Sequence, residues 1–272
     1  MQPLPDHHRD FLDRFEQACR ADERVTAAFL GGSYGRGAAD AYSDLDLYVV
    51  VIDGAYDDFL AGRVSFLRRL GEPVFVEIFG SPATVFFIFS DGVEGELQTG
   101  RESQLQQLHS GPYQVLLDRT GILNGVVFTE PGADPAEQGE MLRLQVAVFW
   151  HELSHFITAL GRGQLWWAYG QLEALRSVCM KLVRLGHNFD DPDAGSEPSF
   201  KVEDALPVEK LSPLLATICP MEPAAMLRAA FVLVNFYQKV VPLLVYAHGL
   251  AYPTALERVM LNRLEMLRPP GY

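Results

Sequence analysis

The stretch FLGGSYGRGAADAYSDLDLYVV, residues 29 to 50, decides the fold. An apolar run ends at Gly31 and Gly32, a small-residue polar turn follows, and the next segment sets acid against hydrophobe as Asp44-Leu45-Asp46-Leu47. In an extended strand residues two apart face the same way, so Asp44 and Asp46 present neighbouring carboxylates while Leu45 and Leu47 face a core. Two carboxylates this close repel each other unless a divalent cation lies between them, and Mg2+ takes oxygen ligands of this kind together with substrate phosphates. The turn ahead of them offers backbone N–H groups and the Ser33 hydroxyl, with Ser33 reading as the N-cap of a short helix. The combination is that of a nucleoside-triphosphate site.

Outward from this stretch, Phe11, Phe15 and Cys19 recur at four-residue steps, which predicts an amphipathic helix over residues 8–21. VTAAFL reads as a strand ending at Gly31, and SDLDLYVVI as the next. A helix through YDDFLAGRVSFLRRL, strands at PVFVEIF and TVFFIF, and a short strand at YQVLLDRTG complete an alternating unit with a mixed sheet. Between the last two, VEGELQT places Glu94 and Glu96 on one strand face, where Glu96 is able to approach the Asp44–Asp46 pair and Glu94 is its rival.

The pattern changes around residues 127–139, and everything beyond reads as helical. The division expected is an α/β domain over residues 1–135 and a helical bundle over 136–272, an α+β chain overall. The long apolar tract AAFVLVNFYQKVVPLLVYA carries Asn235, Gln238, Lys239 and Pro242, and reads as a buried helix kinked or broken at the proline, with no membrane span. The polar loop of residues 187–207 is longer than an ordinary connection.

The helical half offers weaker candidates. Trp166, Trp167 and Tyr169 are able to wall an acceptor site, although aromatics at helical spacing more often fill a core. His151 and His155 lie four apart on one helix face, but no third metal ligand is evident beside them, so ordinary helix histidines are the better reading. Glu173 and Arg176 read as a helix ion pair, and Arg162 sits at a helix end.

Charge narrows the partners. Lys+Arg 22 against Asp+Glu 35 gives a net charge of −13, and residues 1–135 hold 21 acids against 10 arginines and no lysine. Such a surface repels nucleic acid and suits a small acceptor, a cationic one included. Any phosphate in the first half is left to backbone N–H groups, hydroxyls, Arg36 or a metal. Three widely spaced cysteines read as reduced thiols, and the N-terminal residues lack a basic-then-apolar leader, so the expected compartment is the cytoplasm.

GGSYGRGAADAYSDLDLYVV resembles the signature of the DNA polymerase beta-like nucleotidyltransferase superfamily. With GELQT, LLDRTG and LGRGQLWWAYGQLEALRSVCMKLVRL, the first 185 residues resemble the two-domain lincosamide nucleotidyltransferases. The resemblance implies an N-terminal nucleotidyltransferase domain and a helical substrate and dimerisation domain. It implies transfer of a nucleoside monophosphate from ATP or GTP to a hydroxyl of a small antibiotic, in a Mg2+-dependent homodimer. It assigns the metal to Asp44 and Asp46, the triphosphate turn to Gly32 and Ser33 with Arg36 in reach, and the general base, itself a possible metal contact, to Glu96. Gln164 departs from the family's usual Glu, which bears on the acceptor. An aminoglycoside is the alternative acceptor, and a non-catalytic nucleotide sensor the alternative class; the presence of both Asp44 and Asp46 weighs against the sensor.

Overall fold

Apolar residues at every second position of Leu45–Val51 make that segment an inner strand of a six-stranded sheet. The computed structural model describes residues 6–129, 135–189 and 197–268. The chain divides into two units, Met1–Pro131 and Gly132–Tyr272. The boundary expected at residue 135 adjoins residues 130–134, which lie outside the described residues.

In the first unit α1 (Asp6–Ala21) leads to β1 (Val25–Leu30), the short α2 (Gly32–Gly35), β2 (Leu45–Val51) and α3 (Tyr56–Arg68). Then come β3 (Pro73–Glu77), β4 (Thr84–Phe89), β5 (Glu94–Arg101) and β6 (Gln114–Asp118). The strand order is β3-β4-β5-β2-β1-β6, with β2 and β5 parallel and each other neighbouring pair antiparallel. Parallel neighbours need a long crossover, and α3 with the β3–β4 hairpin supplies it.

The two faces of β2 go to different surroundings. Leu45, Leu47, Val49 and Val51 face a core built with Phe11, Phe15 and Cys19 of α1 and Phe59, Phe66 and Leu67 of α3. On the opposite face Val50 joins a smaller cluster with Phe29, Leu108 and Phe128, and Tyr48 stacks on Phe29 with ring centroids 4.6 Å apart. Asp46 continues that second face beyond Tyr48, toward the strand's N-terminal end. The burial of one face therefore forces the carboxylate onto the other.

The second unit is helical, as expected. Among the described residues its helices are α4 (Pro135–Gly161), α5 (Leu165–His187), α6 (Val202–Ala205), α7 (Val208–Leu215), α8 (Pro223–Ala247) and α9 (Thr254–Glu265). Leu142, Val146, Phe149, Trp150, Leu153 and Phe156 recur at steps of three and four along α4 and meet Leu172, Leu175 and Leu182 of α5. A connection of three residues, 162–164, makes the two helices neighbours in space. α8 adds Leu233, Tyr237 and Val241 to the same core, Tyr237 stacking on Phe149 at 3.8 Å.

Three expectations are corrected here. α8 continues through Pro242, so of the kink or break expected there the break is absent; Val241 and Val245 are buried beside it, and proline's fixed φ is compatible with a helix. By length and composition alone α8 is also the one helix among the described residues able to cross a membrane. The tryptophans do not fill the core: Trp166 is 83% exposed and Trp167 39%, because Ala168 and Leu172 take the inward positions of that turn while Tyr169 is only partly buried. The polar segment 187–207 contains α6, and its residues 190–196 lie outside the described residues.

Candidate active site

The parallel register sets Asp46 directly across from Glu96. Adjacent strands lie about 4.8 Å apart, so the two side chains are same-face neighbours. Asp44 is exposed and immediately precedes β2. Burial raises the Asp46 carboxyl to about 6, helped by the charges of Asp44 and Glu96 and opposed by Arg36. Two of the three sequence candidates for carboxylate chemistry thus act electrostatically on the third. Glu94 pairs instead with Ile88 of β4.

The turn before β2 is built around the same carboxylate. A Cβ at residue 32 would fall 1.6 Å from Asp46 Oδ2, and the backbone there has φ +52°. Only glycine satisfies both conditions. The Gly31 N–H donates to the Asp46 carbonyl at 3.0 Å, fastening the turn to the strand. On the β5 side, a Cβ at Gly95 would meet the Leu45 carbonyl oxygen at 2.2 Å, so that glycine lets β5 close on β2 where Glu96 begins.

Ser33 does not cap α2. Gly31 holds the N-cap position with no side-chain bond, and Ser33 lies within the helix, since the turn tightens two residues earlier to pass Asp46. Its Oγ is shielded from solvent and has no protein partner. Tyr34, next in the turn, is buried and its hydroxyl meets His8 Nδ1 of α1 at 2.5 Å. Burial lowers the pKa of His8 and raises Tyr34 to about 12, so Tyr34 stays a neutral donor to a neutral imidazole. Through this pair the turn is anchored to α1.

Gly32, Arg36, Asp46, Tyr48, His109 and Thr129 line a cleft of about 620 Å³. Asp44 and Glu96 lie outside its lining. His109 has no marker in the sequence: it follows β5 in an irregular segment and is placed by packing, its ring 4.8 Å from Tyr48 and its Nε2 3.1 Å from the Pro112 carbonyl. Burial lowers its pKa, leaving a flat, neutral ring beside Tyr48. Tyr48, raised to about 12 by burial and then by Asp46 and Glu96, keeps its proton. The cleft thus combines aromatic and charged groups.

The donors fit a hard divalent cation: carboxylate oxygens only, with one acid raised by crowding, which a cation would relieve. Trp166, Trp167 and Tyr169 belong to the helical unit, on α5.

The family model of streptomycin adenylyltransferase matches residues 7–265, nearly the whole chain. No curated protein matches. Among solved structures, the chain is similar to an aminoglycoside 6-adenyltransferase from Bacillus subtilis at 16% identity and TM-score 0.43, over 95% of this chain and 96% of that one. It is also similar to a nucleotidyltransferase-like protein from Exiguobacterium sibiricum at 13% identity and TM-score 0.38, over 82% and 74% of the two chains. Likenesses this distant add nothing to the family match. The superfamily expected from the motif stands, the matching family is the streptomycin one, and the comparisons do not confirm the lincosamide likeness. The chain belongs to the streptomycin adenylyltransferase family and is a nucleotidyltransferase.

Proposed function

We propose that this enzyme transfers a nucleoside monophosphate from a nucleoside triphosphate to a hydroxyl of a small antibiotic, releasing pyrophosphate. The observation that carries the site assignment is the Asp46–Glu96 register beside the Gly32 turn, with Asp44 and Arg36 both felt at Asp46. Asp44 and Asp46 would hold Mg2+, with Glu96 as a further ligand; when bound, the ion neutralises charge on the phosphates. The α2 turn and the Ser33 hydroxyl donate to phosphate oxygens, Ser33 Oγ being a buried group that lacks a protein partner. Arg36 adds a fixed positive charge at the cleft. Glu96 accepts the proton of the attacking hydroxyl.

A cationic aminoglycoside is the acceptor we favour. Its support is the family match and the net charge of −13, most of it in the first 135 residues. A lincosamide is the second reading, supported by the motif resemblance over the first 185 residues. The helical unit is read as the acceptor and dimerisation domain, with exposed Leu215, Leu243 and Tyr246 as apolar surface suited to a homodimer. The three cysteines are free, with burial raising the thiol pKa values, in keeping with a cytoplasmic protein.

Pyrophosphate release from ATP and GTP, with and without Mg2+, across aminoglycosides and lincosamides, tests this reading. Mg2+-dependent release with an aminoglycoside is the expected result. Release with a lincosamide alone replaces the acceptor class, and release with neither class overturns the antibiotic assignment.

A further inference from the structure

The helical unit holds a second polar cluster that nucleotidyl transfer does not use. HELSH, residues 151–155 of α4, has the His-Glu-x-x-His spacing that sets two imidazoles on one helix face. Ligand atoms of His151, Glu152 and His155 all lie within 4.8 Å of one another, and among the described residues this is the one such trio. The third ligand that a search for distant residues misses is the residue next to His151.

The cluster is also supported from α5. Glu152 Oε1 accepts from His151 Nδ1 at 2.8 Å. With the Gln171 amide oriented to satisfy both neighbours, its nitrogen donates to Glu152 Oε2 and its oxygen accepts from Trp167 Nε1 at 3.2 Å. The Trp167 ring lies 5.7 Å from His155, and the two imidazoles are 4.2 Å apart. Such outer contacts fix the orientation of metal ligands. They also explain why Trp167 is turned away from the core.

We propose that His151, Glu152 and His155 form a site for a borderline transition-metal ion of the zinc class, separate in chemistry from the carboxylate site. Two imidazole nitrogens and one carboxylate oxygen suit Zn2+, and small side-chain rotations bring all three to the usual bond length of about 2.0–2.2 Å. Mg2+ takes oxygen ligands and does not compete here. A fourth position faces solvent, since His151 is exposed, and is left for water or a ligand oxygen.

The test is equilibrium dialysis of the full chain, stripped with chelator, against Zn2+ in the presence of excess Mg2+. One equivalent bound per chain is expected. His151→Gln and His155→Gln should each weaken it about 10- to 100-fold, while Asp44→Asn leaves it unchanged. Thermal melts of the metal-free variants check folding, and Zn2+ should raise the melting temperature of the parent but not of the double histidine variant. Absence of saturable Zn2+ uptake by the parent, or uptake that survives in the folded double variant, overturns the proposal.

Discussion

Arg176 and Arg184 of the helical unit and Asp46 of the α/β unit carry their charge in opposite ways. In the helical unit Arg176 is buried and fully engaged: its Nε donates to Thr217 Oγ1 at 2.7 Å, its Nη2 donates to the Thr217 carbonyl at 2.8 Å, and Glu173 pairs with it. Arg184, 2% exposed, donates to the carbonyls of Pro198 and Phe200. In the α/β unit Asp46 is crowded by Asp44 and Glu96 and only partly relieved by Arg36. A buried charge with complete partners holds structure together. One surrounded by its own sign costs stability and is kept for a ligand.

Asp22, in the same unit as Asp46, sharpens the contrast. Arg24 donates to both of its oxygens at 2.8 Å and Arg69 adds a bond at 3.0 Å, so its carboxyl lies well below the ordinary range. By the same criterion Asp22 reads as structural, and Asp46 as the proposed ligand-binding acid.

The largest expected effect is on turnover. Asp44→Asn should lower Mg2+-dependent pyrophosphate release by about 10³-fold or more, since a ligand and a charge leave the metal site together. Parent-like release would break the metal assignment. Glu96→Gln should lower kcat by about 10²- to 10⁴-fold, while Glu94→Gln stays near the parent. The reverse order would move the base two residues along β5.

Smaller effects follow at the structural end. Asp22→Asn should cost about 2 kcal/mol near neutral pH, the size of a lost charge-assisted hydrogen bond, discounted for the exposed arginines. Because the Asp22 pKa is depressed on folding, that stability is present above its unfolded value of 3.8 and fades as pH falls through the lower folded value. Denaturant unfolding at two pH values measures it. Ser33→Ala should weaken nucleotide binding by about 1 kcal/mol, or five-fold, measured by calorimetry; unchanged affinity would make the turn purely structural.

Much of this was legible as pattern. Alternation in residues 45–51 and 94–99 marks two strands with carboxylates on one face, and steps of three and four mark α1, α4 and α5. Register was not legible. That Asp46 faces Glu96 follows from the parallel β2–β5 pairing, which depends on a crossover through α3, β3 and β4. His109 reaches the cleft through packing against Tyr48, which no spacing announces. The N-cap expected at Ser33 lies two residues earlier, at Gly31, because the Gly32–Asp46 contact tightens the turn. In HELSH the third ligand was plainly written, but it stands adjacent to a histidine instead of at a helical step.

The central claim is that Asp46 is kept ionised and crowded for function at a cost in stability. Its carboxyl is raised on folding from 3.8 to about 6, so the folded chain holds that proton more tightly than the unfolded one. Stability from this group is therefore greatest below the unfolded value, declines as pH rises toward the folded value and stays lost above it. Discounted for partial exposure, the loss is about 1–2 kcal/mol. The direct measurement is the melting temperature and turnover of Asp46→Asn at about pH 8. Turnover abolished with a melting temperature equal to or above the parent's is the predicted result. A lowered melting temperature with turnover retained would contradict it.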